Sequence, residues 1–262
     1  MKCIFISPHF DDICFSMGGL VGKLGNFDKT IINVFTISTY IRRMAMTNRS
    51  RAFRENVVSK IREEEDREFC ERYGIKQINL GLSESSEENY SHSEFVRNLS
   101  EKIKSHIDPA EKCLIFFPLG IGGHINHLQV FDACKLLIEV YGDGEFILYE
   151  DLPYGHRIAS RFVRIDRLSE FLSSYGFVNC LNILSKKDIL QKRKDIMLYE
   201  SQHKYRHLCT VKIHRYFTRT SLLGYPYEGF WVREGTSSEI SKFLTKNSHS
   251  LVSALRRFFH LF

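Results

Sequence analysis

The chain has 262 residues, of which 43% are hydrophobic and 26% charged, a balance that excludes a wholly disordered protein. A formal net charge of +6 permits an anionic partner, but no nucleic-acid-binding signature accompanies it, so we expect no nucleic acid. No apolar run approaches the roughly 18 residues of a membrane span. The seven cysteines are never spaced as C-x-x-C, which favours reduced thiols and a cytoplasmic location.

Strands and helices alternate along the first half of the chain. Short apolar runs predict buried strands at residues 2–7, 30–38, 76–82, 113–120 and 146–153. The segments between them predict helices that open near Phe15, end at Tyr73–Gly74, cover 94–106 and follow the glycines at 120–123. We expect the charged face of the second helix, IREEEDREFCERYG, to be mostly solvated. This alternation predicts an α/β fold with three αβα layers, a Rossmann-like, mostly parallel sheet with helices on both faces.

The second half of the chain has a less regular pattern, with helices predicted near residues 167–175 and 187–201. No internal repeat or linker interrupts it, so we expect a single domain over residues 1–262. At the C-terminal end, residues 249–262 predict an amphipathic helix with large apolar residues at helical spacing: Leu251, Leu255, Phe258, Phe259 and Phe262. This helix would pack on its own domain or on a second subunit of a homo-oligomer. The alternative is peripheral contact with a membrane surface, which the adjacent Arg256 and Arg257 would favour.

Two groups of metal-capable side chains follow predicted strands. His9, Asp11 and Asp12 come after the first strand, and His124 and His127 come after the fourth. Ligands from imidazole and carboxylate groups, with one position left for solvent, are typical of catalytic zinc sites. Each group also has a plain structural interpretation, since an Asp-Asp pair can cap a helix and a His-x-x-His pair can lie on a surface. Their shared position at strand ends favours a metal site.

The same residues carry a resemblance to a known family. The segment SPHFDDICFSMGG resembles the P-H-x-D-D opening of the zinc-dependent N-deacetylases of the PIG-L/LmbE superfamily, and GGHINHLQV resembles their G-H-x-D-H motif. Two further segments are similar to parts of the family pattern: IREEEDREFCERYGI to its Arg/Glu-rich helix after the second strand, and KRKDIMLYESQ to its late K…Y-x-S-Q segment. The resemblance implies that His9, Asp12 and His127 bind Zn²⁺, that Asp11 is the general base and that His124 stabilises the oxyanion. Two histidines and one carboxylate also suit Fe²⁺.

Two positions depart from the family pattern. Ile13 stands where the family often has Glu, at a position outside the implied ligands. Asn126 stands where the second motif has Asp between its histidines. If that residue supports the adjacent imidazole, an amide would hold His124 in a less cationic state than a carboxylate would. We therefore expect Asn126 to weaken oxyanion stabilisation or to shift the acid limit of activity.

Further residues are candidates for substrate binding. Glu150 and Tyr154 follow the strand at 146–153 and could line the pocket, although Glu150 and Asp151 could simply cap a turn. Arg62 and a cluster of Arg49, Arg51 and Arg54 could contact an anionic group such as a phosphate. A solvated surface is the alternative for these arginines.

The resemblance implies a hydrolase that removes the acetyl group from an N-acetylated sugar or sugar conjugate. Two alternatives stay open. The same metal ligands and catalytic residues could hydrolyse a non-sugar amide. Alternatively, Asn126 could mark a sugar-binding relative that no longer catalyses the reaction.

Overall fold

The computed structural model describes residues 1–41, 49–84, 92–141, 145–154, 158–202, 217–220, 225–235, 240 and 242–246. Within these ranges nine strands form one mixed sheet. The strands are β1 (Lys2–Ser7), β2 (Asp28–Ile37), β3 (Ile75–Ser83), β4 (Cys113–Pro118), β5 (Glu145–Tyr149), β6 (Phe177–Ile183), β7 (Arg219–Thr220), β8 (Pro226–Arg233) and β9 (Thr245–Lys246).

Seven helices accompany the described strands: α1 (Asp12–Val21), α2 (Arg51–Tyr73), α3 (His92–Lys104), α4 (Ile125–Tyr141), α5 (Ile158–Arg167), α6 (Ser169–Ser174) and α7 (Lys186–Ile196). Local capping groups define several of their ends. The Ser50 hydroxyl accepts from the Phe53 amide at the start of α2, and Gly74 ends that helix in the left-handed region, with φ of 60°. Ser185 and Asp188 form a capping box at the start of α7.

The sheet has the order β3-β2-β1-β4-β5-β8-β6-β9, with β7 paired to β8. The first five strands in this order are parallel, which confirms the predicted Rossmann-like part of the sheet. Alternate residues of its strands enter two apolar clusters on opposite faces. One cluster includes residues of α1, α2 and α7, and the other includes residues of α3, α4, α5 and α6. The open α/β architecture with helices on both faces is therefore confirmed.

The antiparallel extension of the sheet was not predicted. Strand β8 pairs antiparallel with both β5 and β6, so the second half of the chain continues the sheet rather than covering it. The strand predicted to reach residue 153 ends at Tyr149, and the helix predicted over 187–201 ends at Ile196. The helix predicted near 167–175 corresponds to α6, whereas α5, which precedes this range, was not predicted. Strand β8 contains Pro, Gly and Glu, which are depleted in strands and conceal its pattern.

The expected solvation of the charged face of α2 is wrong in part. Arg62, Glu65 and Asp66 lie on its buried face together with Val58 and Phe69. These charged groups have partners inside the molecule, and two of them serve the site described below.

Other expectations concern the surface and the chain end. None of the described helices is long and apolar enough to cross a membrane. Cys3, Cys14, Cys70 and Cys134 are buried thiols, as expected. The predicted helix at residues 249–262 lies outside the described residues.

Candidate metal and catalytic site

Three side chains meet beyond the carboxyl ends of β1 and β4, where the order of the parallel strands reverses. Each of His9, Asp12 and His127 offers one ligand atom, and these atoms all lie within 4.8 Å of one another. The Oδ2 atom of Asp12 lies 3.1 Å from His9 Nδ1 and 3.3 Å from His127 Nε2. All three residues are buried. The position is the one at which open parallel sheets carry ligand sites.

The turn after β1 fixes the first two of these side chains. The strand ends at Ser7, and the backbone amide of His9 donates to Asp12 Oδ2 at 2.8 Å, which closes the turn. Helix α1 then begins at Asp12. Asp11 occupies the N-cap position but makes no side-chain capping bond, so the structural interpretation of this pair as a helix cap is wrong for Asp11. Its carboxylate is instead directed to the cavity described below.

A glycine-containing loop after β4 places the histidine pair. Gly120, Gly122 and Gly123 all have positive φ, between 75° and 93°. His124 directly precedes α4 and its carbonyl accepts from the Leu128 amide, while His127 lies in the first turn. The two imidazole centroids are 5.5 Å apart, so the three-residue spacing does bring both rings to one side.

Asp151 holds His127 from the side away from the ligand atoms. Its Oδ1 atom lies 2.6 Å from His127 Nδ1, and its Oδ2 atom accepts from the Ile121 amide at 2.8 Å. Burial alone would lower the pKa of His127, but the carboxylates of Asp12 and Asp151 outweigh it and raise this pKa to about 9. The sequence alone predicts only a turn residue at Asp151. Its position directly after a parallel strand next to β4 is the signal that could have identified it.

Asn126 contacts a different histidine from the one expected. Its Nδ2 atom lies 2.9 Å from His9 Nε2, and the residue is 1% exposed. The expectation that Asn126 acts on the adjacent His124 is corrected, because its side chain contacts His9. The reason is helical geometry: at the start of α4, Asn126 is turned towards the end of β1. The pKa of His9 lies well below its usual value, mainly because the ring is buried and also because His127 is close to it.

Asp11 belongs to a hydrogen-bonded chain of polar groups at the ends of β2 and β3. Arg62 donates from Nη2 to Asp11 Oδ1 at 3.2 Å and from Nη1 to Glu84 Oε1 at 2.6 Å. Ser38 accepts from Arg62 and donates to Glu84, at 2.8 Å and 2.7 Å. Burial raises the pKa of Asp11, and Arg62 opposes that rise. Asp11 is thus an unligated carboxylate beside the metal-capable group, with its orientation set by Arg62.

These contacts bear on the role expected for Arg62. The guanidinium borders the cavity but contacts two carboxylates and is 3% exposed. Its charge is already compensated, which favours orientation of Asp11 over direct binding of a substrate anion. Glu84 was not singled out from the sequence. Its position one residue beyond the end of β3 is the available signal.

Aromatic side chains pack around the histidines. The Tyr154 ring centroid lies 5.6 Å from that of His124 and 5.0 Å from that of His127. Gly122 makes this packing possible, because a Cβ atom at that position would lie 2.6 Å from Tyr154 Cβ. The structure therefore places Tyr154 at the site.

The site opens into a cavity of about 370 Å³. It is lined by His9, Asp11, Asp12, Phe15, Tyr40, Arg62, Glu84, His124, Pro153, Tyr154 and Gln202. Glu65 tethers the segment that contributes Gln202, because its two oxygens accept from the Ser201 amide at 2.7 Å and the Ser201 hydroxyl at 2.5 Å. One buried face of α2 thus supports both Asp11 and the Gln202 wall.

Glu150 does not line this cavity. It is 1% exposed, and its oxygens accept from Arg161 at 2.7–3.0 Å and lie 2.5 Å from Arg219 Nε. Burial would raise the pKa of Glu150, but the two arginines lower it to about 2. The expectation of a substrate-binding role is corrected: successive residues at the end of β5 point in different directions, so that Asp151 reaches His127 and Glu150 reaches the arginines.

A larger cavity, of about 650 Å³, lies between α1, α2 and α7. Several of its charged lining residues already have partners: Arg72 pairs with Asp195, Lys192 with Glu228 and Asp188 with Lys23. Among the described residues, the group that could hold a metal ion is His9, Asp12 and His127, and none of these three lines this cavity. The smaller cavity therefore remains the candidate site.

The donor set at the smaller cavity fits a resident metal ion. Bonds of about 2.0–2.2 Å in tetrahedral geometry separate the ligand atoms of Zn²⁺ by about 3.3–3.6 Å. The distances of 3.1 Å and 3.3 Å from Asp12 Oδ2 to the two imidazole nitrogens are close to the lower end of that range. In addition, the Nε2 atom of His127 is buried and has no hydrogen-bond partner among the described residues.

The chain resembles known deacetylases in sequence and in fold. The chain is 28% identical to the 2'-N-acetylparomamine deacetylase of Streptomyces fradiae over 214 residues, which are 77% of this chain and 73% of that protein. The crystal structure of the A40926 pseudoaglycone deacetylase matches the fold with a TM-score of 0.65 at 19% identity, and the match covers 88% of this chain and 96% of that chain.

Two further solved structures share the fold. The zinc-inhibited form of teicoplanin deacetylase aligns with a TM-score of 0.63 at 16% identity, over 95% of this chain and all of that one (100%). The N,N'-diacetylchitobiose deacetylase of Pyrococcus horikoshii aligns with a TM-score of 0.56 at 18% identity, over 88% and 83% of the two chains. The family model described as GlcNAc-PI de-N-acetylase, PIG-L, matches residues 4–138. This match covers both histidine segments and half of the chain, and the chain therefore belongs to the PIG-L family.

Proposed function

We propose that this chain is a metal-dependent hydrolase that removes the N-acetyl group from an amino sugar or a sugar conjugate. One observation carries the proposal. The possible ligand atoms of His9, Asp12 and His127 lie within 4.8 Å of one another, and the unligated carboxylate of Asp11 borders the same cavity. A metal centre with an adjacent proton acceptor is the minimum that amide hydrolysis by activated water requires.

His9, Asp12 and His127 would hold the metal, which we propose is Zn²⁺. Two imidazoles and one carboxylate leave a fourth position for water or substrate, as in catalytic zinc sites, although the same donors suit Fe²⁺. When bound, the ion would supply Lewis-acid chemistry at the carbonyl and lower the pKa of water. Asp151 would fix the His127 ring, because its carboxylate occupies Nδ1 and leaves Nε2 for the metal.

Asp11 and His124 would handle the protons and charge of the reaction. Asp11 accepts a proton from water as the water oxygen bonds to the acetamide carbonyl carbon. His124 donates a hydrogen bond to the carbonyl oxygen, on which negative charge develops. The carbon–nitrogen bond then breaks while Asp11 returns the proton to nitrogen. The second proton of water leaves on the acetic acid, which ionises near neutral pH while the amine is protonated, so the products are acetate and an ammonium group and the protons balance.

The cavity favours a sugar as the group that carries the amide. Its volume of about 370 Å³ accommodates a monosaccharide, and its lining combines aromatic walls with polar groups. Tyr154, which is 37% exposed, and Tyr40, which is 50% exposed, offer apolar ring faces. Arg62, Glu84 and Gln202 offer donors and acceptors for hydroxyl groups. The names of the relatives, which include sugar and glycopeptide deacetylases, support the same substrate class.

A third cavity, next to the candidate site, suggests that the substrate carries an anionic group. It has a volume of about 300 Å³ and shares Glu84 with the cavity of the candidate site. Two arginines line it: Arg51 is paired with Glu55 at 2.8 Å, whereas the Nε atom of Arg54 is buried and has no hydrogen-bond partner among the described residues. A phosphate or carboxylate attached to the sugar would meet Arg54 there. Of the arginine cluster predicted from the sequence, Arg51 and Arg54 line this cavity.

The anionic group is tested by comparing N-acetylglucosamine with N-acetylglucosamine 1-phosphate. We expect Arg54→Gln to reduce kcat/KM for the phosphate by about 10- to 100-fold, as the loss of a charge-assisted hydrogen bond would, with little effect on the neutral sugar. Arg97→Gln makes the same change of net charge on an exposed face of α3 and is the matched control. An equal effect of both substitutions, or of Arg54→Gln on both substrates, would count against the anionic site.

The function itself is tested by metal analysis and acetate release. The purified chain is assayed with one equivalent of Zn²⁺ on a panel of N-acetylhexosamines, their conjugates and non-sugar N-acetyl amines. One equivalent is used because a solved relative is described as zinc-inhibited. Turnover confined to the sugars supports the proposal. Turnover of the non-sugar amides alone supports the amidase alternative, and metal binding without any turnover supports a sugar-binding relative. Failure to bind a divalent metal would contradict all three.

We also propose the cytoplasmic location and the homo-oligomer expected from the sequence. Peripheral membrane contact through residues 249–262 has a direct test. Co-sedimentation with anionic vesicles should be lost when the chain is truncated after Ser248. Equal co-sedimentation of the two chains would contradict the membrane contact.

A further inference from the structure

The cavity between α1, α2 and α7 has no role in the proposed function. Its volume of about 650 Å³ compares with about 370 Å³ for the cavity at the candidate metal site. Small-molecule sites in proteins have volumes of about 300–1,000 Å³. The cavity is therefore large enough for a ligand of its own, and its lining residues indicate the kind of ligand.

The lining of this cavity is predominantly positive. Its charged residues are Arg72, Lys187, Asp188, Lys192 and Lys194. Arg72, Lys192 and Asp188 form the ion pairs given above. Lys187 and Lys194 are exposed and have no ion-pair or hydrogen-bond partner among the described residues. Clefts lined by charges of one sign concentrate the electric field, so these two ammonium groups favour an anion in the cavity.

Helix α7 holds the two lysines on one face. They are seven residues apart, which is two helical turns and about 10.5 Å along the helix axis. Gln191 lies between them in the chain and also lines the cavity. The adjacent Lys192 side chain is fully buried, and its Nζ atom lies 2.5 Å from Glu228 Oε1. This buried ion pair fixes the rotation of α7 and keeps the face that carries Lys187 and Lys194 towards the cavity.

Two glycines keep the cavity open, Gly18 in α1 and Gly22 at its C-cap. An added Cβ atom would make only ordinary contacts there, at 3.9 Å from Lys192 Cγ and at 3.7 Å from Tyr73 Cε1. Packing therefore does not require glycine at either position, although glycine is less favourable than alanine in a helix. At Gly19, by contrast, a Cβ atom would lie 2.5 Å from a neighbouring side-chain carbon. Because Lys192 and Tyr73 line the cavity, longer side chains at Gly18 and Gly22 would extend into it.

We propose that this cavity binds a ligand that carries a phosphate or diphosphate group. A phosphate monoester concentrates about two negative charges in one group, whereas a carboxylate carries one. Ammonium groups bind phosphate as point charges, and their flexible stems allow Lys187 and Lys194 to reach the same group. Arg72, whose side chain is 37% exposed, uses Nη1 for Asp195 and has further donors for the ligand. All these residues lie outside the metal site, so the inference stands or fails independently of the proposed function.

The charges are tested by calorimetric titration with ADP and with pyrophosphate, at an ionic strength of about 0.15 M and with no metal added. Arg54→Gln is the background chain, so that the anionic site next to the metal site does not contribute. In this background, Lys187→Gln/Lys194→Gln should weaken both affinities by about 10- to 100-fold, as the loss of charge-assisted hydrogen bonds would. Lys186→Gln/Arg193→Gln is the matched control. It removes two charges at the same spacing from the same helix, but neither residue lines the cavity, so both affinities should be nearly unchanged.

The volume is tested without a change of charge. Gly22→Leu should weaken ADP more than pyrophosphate, because the nucleoside needs the space that the leucine side chain fills. Gly25→Leu is the control, since Gly25 does not line the cavity and no atom lies within 4 Å of an added Cβ. Equal effects of the two leucine substitutions on ADP would contradict binding in this cavity.

The phosphate group can belong to a soluble molecule or to a lipid headgroup. Binding of ADP or pyrophosphate that depends on Lys187 and Lys194 supports the soluble source. Binding only to vesicles that contain phosphatidic acid, with the same dependence, supports the lipid source. Equal losses in the two double variants, equal affinity for the dicarboxylate succinate, or no binding of any phosphate probe at millimolar concentration would overturn the proposal.

Discussion

Buried carboxylates occur both at the carboxyl edge of the parallel strands and in the antiparallel extension of the sheet, but their partners differ. In the extension, Glu228 accepts from two backbone amides of α1 and from Asn182, and pairs with Lys192 at 2.5 Å. At the parallel edge, Asp12 Oδ2 faces two imidazoles, and Asp11 contacts Arg62 and borders the cavity.

This difference separates structural groups from candidates for chemistry. Glu228 and Glu150 are surrounded by donors and have no oxygen left for a ligand. Asp12 is also buried and Asp11 is partly buried, yet each faces groups that a metal or substrate can use. Burial of a charged group is therefore a poor indicator of function in this molecule, and the set of partners is a better one.

The largest effect is expected from Asp11→Asn at the parallel edge. The amide keeps an oxygen for Arg62 but cannot accept the proton of water. Loss of a general base reduces the rate by about 10²- to 10⁴-fold. Metal content and the free energy of unfolding should change little, because Asp11 is not in the ligand group. Acetate release, metal analysis and urea unfolding measure these quantities, and a rate within tenfold of the native value would contradict the assignment.

In the extension, the same kind of substitution should act on stability. Lys192→Met leaves the Glu228 carboxylate buried without its cation, and such changes cost about 3–5 kcal/mol. Both side chains are fully buried, so solvent screening is small. Urea unfolding measures the loss, while the rate per folded molecule should be unchanged. Adding Glu228→Gln should recover most of the stability, and a loss below about 1 kcal/mol for Lys192→Met alone would show that the pair is not needed.

Asp66 gives an intermediate case. It belongs to α2, and its carboxylate lies on the buried face of that helix. It accepts from Asn33, Gln77 and Tyr199 at 2.6–2.8 Å, but burial outweighs these bonds and raises its pKa from 3.8 to about 7. The folded chain therefore holds a proton that the unfolded chain has released between about pH 4 and pH 7. Over this range Asp66 should make the free energy of unfolding fall as pH rises, by at most about 1.4 kcal/mol per pH unit.

Asp66→Asn should remove this component. An amide oxygen can accept from Asn33 and Gln77, and its nitrogen can donate to the Tyr199 hydroxyl, so the packing is kept. The measurement is the difference in free energy of unfolding between the two chains from pH 4 to pH 7. A difference that does not vary with pH would contradict the raised pKa.

The smallest effect concerns the wall of the cavity. Gly122→Ala would place a Cβ atom 2.6 Å from Tyr154 Cβ and push the ring away from the histidines. We expect KM for the sugar to rise by up to about tenfold, which corresponds to about 1.4 kcal/mol. Gly123→Ala is the control: its φ is also positive, at 75°, but no atom lies within 4 Å of the added Cβ. Equal changes in KM would indicate backbone strain rather than a role for Tyr154.

Local sequence patterns predicted the part of the fold that carries the candidate ligands. Apolar runs marked the parallel strands, and polar residues directly after them marked the edge where His9, Asp12 and His127 meet. These inferences depend on neighbours in the chain and on one general rule about parallel sheets. The antiparallel strands were missed because β8 contains Pro226, Glu228 and Gly229, whose roles depend on distant partners.

The supporting groups of the site could not be predicted for the same reason. Arg62 is separated from Asp11 by 51 residues and Asp151 from His127 by 24. No periodicity links such pairs. The charged face of α2 predicts a solvated surface, since charged residues are seldom buried without partners. Only the fold shows that Arg62 pairs with Asp11, Glu65 with Ser201 and Asp66 with Asn33.

The three buried charged residues of α2 limit the changes in sequence length that the helix can tolerate. Arg62, Glu65 and Asp66 reach three separate parts of the molecule from one side of α2. Insertion or deletion of a single residue inside the helix would rotate everything on one side of the change by about 100°. Such a change between Arg62 and Asp66 would break at least one of the three attachments. Variation in length is therefore compatible with the site only outside this short stretch, whereas exposed positions such as Glu63, Glu64 and Arg67 are open to substitution.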